Sequence, residues 1–157
     1  MPKNKEKGSK AERELFGMFI ENNFRAVRVA GSGRMENADC DLIAGKTGKK
    51  FGIEVKSTKK SAKYITKEQM ESFVIFCEIF ELKPVIAVRF DRLGWFFLNP
   101  SELEDSGKNW VVNIETARTK GKRFSQFFGE REGKNIRNVN SDLDILDEID
   151  YEEENCE

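Results

Sequence analysis

Apolar residues recur at helical spacing in two stretches of the chain, and each stretch opens on a capping signal. The first predicts a helix over residues 9–22, because Ser9 and Glu12 stand three residues apart as in a capping box. The second helix is predicted to open at Thr66, three residues before Gln69. The residues predicted to form its buried face are Met70, Phe73, Phe76, Cys77 and Phe80.

Short apolar runs between and after these helices predict strands. The predicted strands cover residues 24–30, 42–44, 51–56, 85–90 and 95–98, with a further candidate at 109–114. Residues 45–48 are expected to form a hairpin turn, residues 59–63 a lysine-rich loop, and Gly94 a turn, while Pro84 is expected to end the second helix. The order of helix, strands, helix and strands predicts an α/β sandwich, with helices on the faces of a central mixed sheet.

Composition narrows the class of protein. The 157 residues are 38% hydrophobic and 35% charged, which is typical of one globular domain with a highly charged surface. No apolar run reaches the length of a membrane span and no apolar signal core follows the lysine-rich start, so we expect a cytoplasmic protein. The absence of histidine excludes serine-histidine triads, histidine-metal nucleases and zinc proteases. The three cysteines lack disulfide or zinc-ligand spacing.

The formal net charge of -1 averages over two unlike parts of the chain. Residues 141–157 hold nine acids and no base, so residues 1–140 carry all 27 Lys and Arg against the remaining 19 of the 28 acids, a net +8. We therefore expect a folded domain over residues 1–140 with a mobile basic start at residues 1–8, followed by a disordered acidic tail. A body of this charge fits a polyanion binder and a solvated basic surface equally well.

The residues that carry candidate chemistry lie mainly in the predicted strand 51–56. Alternation places Glu54 and Lys56 on the same face of that strand. Pairing in the hairpin is expected to bring Asp41 beside Glu54, and two neighbouring carboxylates favour a hard divalent cation such as Mg²⁺. A Glu-x-Lys pair is also a common exposed ion pair. Glu12, on the apolar side of the first helix, is either a site residue or a helix cap.

Four segments, in this order, resemble the archaeal Holliday junction resolvases, a branch of the PD-(D/E)xK nuclease superfamily. They are residues 7–14 (KGSKAERE), 27–33 (VRVAGSG), 41–45 (DLIAG) and 53–60 (IEVKSTKK), and a looser likeness continues to residue 98. The resemblance implies a restriction-endonuclease-like fold with a central mixed β-sheet flanked by helices. It also implies a homodimeric, Mg²⁺-dependent endonuclease, with Mn²⁺ able to substitute, that cuts two opposing strands of four-way junction DNA in recombination and repair.

Position by position, the resemblance implies a set of site residues. Its catalytic residues are Glu12, Ser32, Asp41, Glu54 and Lys56. Of these, Glu12, Asp41 and Glu54 are implied to bind the metal, and Lys56 to orient or activate the attacking water. Gln69 matches a helix glutamine that supports such sites. The candidate DNA contacts are Lys7, Lys10, Arg28, Arg34, Lys59, Lys60 and Lys63.

Several points stay open at the level of sequence. Cys40 stands where the family usually has proline, so Asp39 competes with Asp41 for the metal; we favour Asp41 because Leu-Ile-Ala-Gly follows it directly. Three roles are open for the tail at 141–157. It could compete with DNA for the basic body, dock on a recombination or replication partner protein, or only aid solubility. Two interpretations are also open for the basic cluster at 118–123: it is either a DNA contact or a surface loop packed on the core. The alternative functions are a superfamily nuclease acting on ends, flaps or mismatches, and an inactive DNA-binding homologue.

Overall fold

Four α-helices and eight strands make up the part of the chain that the computed structural model describes, residues 3–29 and 40–129, with side chains from residue 10 onward. In chain order the first elements are α1 (Lys3–Glu21), β1 (Arg25–Arg28), β2 (Leu42–Lys46), β3 (Lys49–Thr58), β4 (Ala62–Thr66), α2 (Lys67–Ile79), β5 (Lys83–Phe90) and β6 (Gly94–Leu98). A 3-10 turn (Pro100–Glu102), β7 (Glu104–Asp105), β8 (Asn109–Asn113), α3 (Ile114–Thr119) and α4 (Phe124–Phe128) follow. None of the described helices is long and apolar enough to cross a bilayer.

The central sheet has the strand order β1-β2-β3-β5-β6. Strands β3 and β5 are parallel, and the other neighbours pair in the antiparallel direction, so the sheet is mixed as the sequence predicts. β2 and β3 form the predicted hairpin, in which Lys46 pairs with Lys49 and Gly48 takes the left-handed conformation with φ 77°. β4, β8 and β7 form a second, smaller sheet.

Helix α1 covers one face of the central sheet because its apolar residues recur every four positions. Ala11, Leu15 and Phe19 are buried against residues of β3 such as Ile53. Phe128 of α4 closes the same core, with its ring 4.9 Å from that of Phe19. The phenylalanines that follow the basic cluster at 118–123 therefore belong to a short helix packed on the core.

Helix α2 covers the opposite face of the sheet. Met70, Phe73 and Cys77 are buried there, as the sequence predicts. Gly52 of β3 permits this close approach, because a Cβ atom at that position would lie 2.5 Å from the sulfur of Cys77. Phe80, expected to be buried, is instead 58% exposed, because it follows the last residue of the helix.

The first helix differs from its prediction at the N-terminal end. α1 begins at Lys3 rather than at Ser9, so residues 3–8, expected to be mobile, are helical. Three Lys and one Glu among these six residues are good helix formers. Because Ser9 lies inside the helix, the predicted capping box with Glu12 is wrong, and the carboxylate of Glu12 is available for other contacts.

Two further predictions of local structure are corrected. Residues 62 and 63, assigned to a loop, belong to β4, where they pair with β8, about fifty positions away in sequence. Pro84 does not end α2 but lies in β5 opposite Gly52. The helix stops earlier because Glu81 takes a left-handed conformation with φ 54°.

Candidate active site

Asp41 lies directly before β2 and is held there by three backbone contacts. Its N–H donates to the carbonyl of Ile53 at 3.0 Å, and its own carbonyl accepts from the N–H of Val29 at 2.9 Å. Its Oδ2 accepts from the N–H of Val55 at 2.7 Å. These contacts fix the carboxylate between β1 and β3, next to Glu54, which confirms the neighbours predicted from the hairpin.

Glu54 and Lys56 lie on the same face of β3, as strand alternation predicts. Lys56 Nζ is 2.6 Å from Glu54 Oε1, and both side chains are less than a fifth exposed. The pair is therefore not an ion pair on an open surface. The pair lies close to Asp41, since the charges of both side chains act on the Asp41 carboxyl.

Glu12 joins this group from helix α1. Its Oε2 is 2.8 Å from Nη2 of Arg28, the last residue of β1. Glu12 also lies close enough to Asp41 for its charge to raise the pKa of that carboxyl. The structure therefore brings Asp41, Glu54 and Lys56 together, while Glu12 is held by Arg28 and reaches this group only through its charge on Asp41.

Burial and negative charge shift the ionisation of Asp41. Desolvation and the neighbouring carboxylate of Glu54 raise the pKa of Asp41 from 3.8 to about 7. The N–H of Val55 and the charge of Lys56 act in the opposite direction. A carboxyl with a raised pKa beside a second carboxylate is the arrangement that a bound cation relieves.

The donor chemistry of this group fits a hard divalent cation such as Mg²⁺. Glu54 pairs with Lys56 beside Asp41, and carboxylate oxygen is the ligand that Mg²⁺ prefers. Among the described residues, no three acidic or thiol side chains are already gathered in a metal-holding cluster. Asp41 and Glu54 are thus the pair that would hold the ion, and Glu12 would have to leave Arg28 to join them.

Cys40, which replaces the usual proline of the resembling family, is a structural residue. It is fully buried, and its sulfur donates to the carbonyl of Leu42 at 2.9 Å. Burial raises the pKa of the Cys40 thiol to about 12, so it stays neutral at physiological pH. A neutral thiol is a poor metal ligand. The sulfur next to Asp41 therefore does not compete with the carboxylates for a cation.

The predicted DNA contacts border this group on one side. Lys59 and Lys60 are exposed at the end of β3, and Lys63 lies on β4. Burial and the positive charges of Lys56 and Lys60 lower the pKa of Lys63. An anion placed among these amines would relieve their mutual repulsion. Lys10 is exposed on α1.

Other predicted residues lie outside the described part of the chain. Ser32, Arg34 and Asp39 belong to residues 30–39, and the side chain of Lys7 is outside as well. Their proposed roles stay predictions, as does the choice between Asp39 and Asp41. The acidic tail also lies outside the described residues.

Gln69 and Lys67, in the first turn of α2, both have partners within the protein. The sequence predicts only the partner of Gln69. Gln69 is exposed and forms the predicted capping box with Thr66, so its supporting role at the site stays a prediction. Lys67, which follows the lysine loop, is 2.6 Å from Asp105 and lies over the ring of Trp110 at 3.7 Å. It therefore joins α2 to the small sheet.

Sequence reasoning missed a second attachment of α1 to the sheet. Glu14 accepts from Trp95 Nε1 at 2.9 Å and from Arg89 Nε at 3.1 Å. The only sequence signal was an acid two residues beyond Glu12, on another side of the helix. The contact holds α1 against β5 and β6. It therefore helps to fix the position of α1, and of Glu12 on it, relative to the sheet.

Comparison with known proteins agrees with this geometry. The family model for the archaeal Holliday junction resolvase (Hjc) matches residues 3–136, which is most of the chain. The chain belongs to this family. Crossover junction endodeoxyribonuclease Hjc of Methanocaldococcus jannaschii is 39% identical over 107 residues, spanning 68% of this chain and 76% of the relative. The Archaeoglobus fulgidus Hjc is 32% identical over 134 residues, spanning 81% and 98%.

A solved structure supports the fold as well as the family. The crystal structure of Archaeoglobus fulgidus Hjc, a Holliday junction resolvase, matches with a TM-score of 0.71 and 28% identity. The match covers 76% of this chain and 98% of that one. The family resemblance inferred from sequence and the α/β fold with a central mixed sheet are both confirmed.

Proposed function

We propose that this protein is a structure-selective endodeoxyribonuclease that hydrolyses phosphodiesters at four-way DNA junctions. The observation that supports the proposal is the proximity of Asp41, Glu54 and Lys56 in a chain of the Hjc family, with Glu12 near enough for its charge to act on Asp41. An inactive homologue would be expected to have lost one of these four groups. The lysines that follow β3 supply the charge that a DNA backbone requires.

Each side chain has a distinct task in this proposal. A divalent cation, when bound, supplies the Lewis acidity that the absent histidine cannot provide. Asp41 and Glu54 would offer the oxygens that hold it, and the Val55 N–H fixes the orientation of the Asp41 carboxylate. Lys56 holds a water or a phosphate oxygen in line for attack. Lys60 and its neighbours hold the flanking phosphates without reading sequence.

A cleavage assay with synthetic DNA tests the proposal. Wild-type protein with Mg²⁺ should cut a four-way junction in preference to its linear duplex arms, a flap and single-stranded DNA. Glu54→Gln should abolish cleavage and leave junction binding nearly intact, because it removes a metal ligand but not the basic surface. Glu115→Gln, an exposed glutamate on α3, is the matched control and should cleave normally. Asp39→Asn should be mild compared with Asp41→Asn.

Each alternative function has its own signature in this assay. Equal cleavage of the junction and its duplex arms would favour a nuclease that acts on ends, flaps or mismatches. Absence of cleavage with both Mg²⁺ and Mn²⁺ would favour the inactive homologue. If Asp39→Asn is inactive and Asp41→Asn is active, the assignment of the metal-binding aspartate is wrong.

We also propose that the protein acts as a homodimer through the outer face of α2. A junction presents two equivalent strands, and two symmetric cuts require two sites related by a two-fold axis. Ile75 and Ile79 of α2 and Phe80 directly after it are exposed, and the ring of Phe76 packs on Phe80 at 4.7 Å. The nearby acids Glu78 and Glu81 repel DNA, so an apolar protein surface is the better occupant.

Light scattering tests the dimer and its interface separately. Ile79→Glu, at a residue that is 71% exposed, should give a folded monomer. Ile20→Glu places the same change on exposed α1 and should leave the dimer intact. A wild-type monomer that still makes paired cuts would contradict the dimer. A dimeric Ile79→Glu variant would contradict only the choice of face.

A further inference from the structure

We propose that Arg92, in the turn between β5 and β6, holds a backbone phosphate of the DNA that flanks the one to be cut. The proposal rests on the nuclease function above and adds a DNA contact that the sequence does not indicate. Two independent features of the fold support it. One is an unfavourable backbone conformation at Arg92, and the other is the position of the turn at the end of the sheet where Lys56 lies.

Arg92 has a left-handed backbone conformation, with φ 63°. Glycine usually occupies such a position, because a Cβ atom is disfavoured there. Asn23, at φ 62°, is of a type that tolerates this conformation, and Glu81, at φ 54°, directly follows the end of α2. An arginine inside a short turn has neither reason. Residues in unfavourable conformations of this kind cluster at ligand-binding and catalytic sites.

Neighbouring contacts hold the turn in this shape. The N–H of Asp91 donates to the carbonyl of Thr58, the last residue of β3, at 2.9 Å. On the other side of Arg92, the carbonyl of Leu93 accepts from Nη1 of Arg123 at 2.9 Å. The backbone is therefore fixed both before and after Arg92, so the side chain extends from a rigid support.

The turn stands at the end of the sheet that carries the candidate active site. β3 and β5 are parallel, and β5 ends opposite Thr58. Lys56 precedes Thr58 by two positions, which is roughly 7 Å along the strand. Lys59 and Lys60 follow Thr58 directly. Arg92 and these two lysines therefore border the same edge of the sheet, beyond the ends of β3 and β5.

The charge of Arg92 is accessible to a ligand. Arg92 is exposed, and it takes part in none of the ion pairs between described residues, including with its exposed neighbour Asp91. Arg89 of the preceding strand, by contrast, is bound through Nε to Glu14. A guanidinium offers a fork of N–H donors that matches the oxygens of a phosphate. Contacts of this kind position DNA without reading its sequence.

Junction binding and thermal stability, measured on the same variants, test the proposal. The affinity for a labelled four-way junction is followed by fluorescence anisotropy in EDTA over a range of salt concentrations. Arg92→Gly should weaken binding about three- to tenfold and reduce the slope of log affinity against log salt by about 1. The same variant should raise Tm by about 2–4 °C, because glycine has no Cβ atom to strain the turn.

Two further substitutions of Arg92 separate charge from conformation. Arg92→Asn should lose as much affinity as Arg92→Gly with a smaller gain in Tm, which excludes a loosened turn as the cause. Arg92→Lys keeps the charge and should bind within about twofold of the wild type, without a gain in Tm. At saturating protein with Mg²⁺, Arg92→Asn should cleave the junction at nearly the wild-type rate, because the contact lies beside the reacting atoms.

Arg25→Gln is the matched control for charge. It removes an exposed arginine from β1 where that strand pairs with Gly45 of the hairpin, at the opposite end of the sheet. It should weaken junction binding by less than about twofold and leave Tm nearly unchanged. A similar loss from Arg25→Gln and Arg92→Asn would indicate a general charge effect and would overturn the proposal.

Two other results would also overturn it. One is wild-type affinity and salt slope in Arg92→Gly and Arg92→Asn. The other is a lower Tm in Arg92→Gly, which would mean that the arginine stabilises the turn. The proposed nuclease function fails separately, through absence of junction cleavage by the wild-type protein.

Discussion

Replacing Asp41 by Asn should stabilise the metal-free protein while it removes cleavage. Burial and the carboxylate of Glu54 raise the pKa of Asp41 from 3.8 to about 7. In the unfolded chain the group ionises near its ordinary value, so the folded protein holds an extra proton between about pH 4 and pH 7. The folded protein therefore loses stability as the pH rises through this window.

The size of the effect follows from the shift. From pH 5 to pH 7 the free energy of unfolding falls by slightly more than 1 kcal/mol for each pH unit, or by about 2–3 kcal/mol in all. An asparagine cannot ionise, and its Oδ1 can still accept from the N–H of Val55. The advantage of Asp41→Asn in free energy of unfolding should therefore be about 2–3 kcal/mol larger at pH 8 than at pH 5.

Urea denaturation in EDTA at the two pH values measures this difference, with tryptophan fluorescence as the probe. Asp105→Asn is the control. A hydrogen bond from Lys67 lowers the pKa of exposed Asp105, so that group is ionised in both states from pH 5 to pH 8. Its replacement should change stability equally at both pH values. Mg²⁺ at pH 8 should stabilise the wild type and not Asp41→Asn.

The reasoning is refuted if Asp41→Asn changes the free energy of unfolding by the same amount at pH 5 and pH 8. Such a result would mean that the carboxyl is solvated or already paired with a cation. A different result is that Asp41→Asn proves more stable at pH 8 while Mg²⁺ fails to stabilise the wild type. That result would support the burial of Asp41 and contradict its role as a metal ligand.

Three further predictions concern the basic surface, the packing of glycines and the tail. Changing Lys59 and Lys60 together to Ala should weaken binding to all DNA structures and reduce the slope of log affinity against log salt by about 2 in titrations. Gly52→Ala should cost about 1–3 kcal/mol in thermal unfolding because its Cβ meets a buried sulfur, whereas Gly17→Ala, with open space, should gain up to about 1 kcal/mol. A chain ending at Asn140 should bind linear duplex more tightly at low salt, with a smaller gain on junctions; unchanged affinities would refute competition by the tail.

Local sequence patterns determined those features that depend on near neighbours in the chain. Alternation placed Glu54 and Lys56 on one face of β3, since the two-residue period of a strand is a property of the backbone. The capping box of Thr66 and Gln69 marked the start of α2 for the same reason, because both partners lie within one turn. The hairpin turn then brought Asp41 beside Glu54.

Several predictions from local sequence patterns were wrong because the folded structure differs from what near neighbours alone would favour. Ser9 and Glu12 have the spacing of a capping box, but the helix continues through Ser9 to Lys3. The sequence predicts a lysine-rich loop at residues 62 and 63. In the structure these residues form a strand because they pair with β8. Phe80 fits the apolar periodicity of α2, yet the helix ends just before it and leaves the ring exposed.

The electrostatics of the site depend most on the folded structure. The sequence marks Asp41 as a candidate ligand but does not indicate its raised pKa, which arises from burial and from a carboxylate on another strand. Arg28 and Glu12 are sixteen positions apart, and they pair only because α1 packs across the end of β1. The sequence by itself thus indicated which charged groups are candidates for the site. Their distances and desolvation, which set the energies of those charges, depend on the packing of α1, β2 and β3.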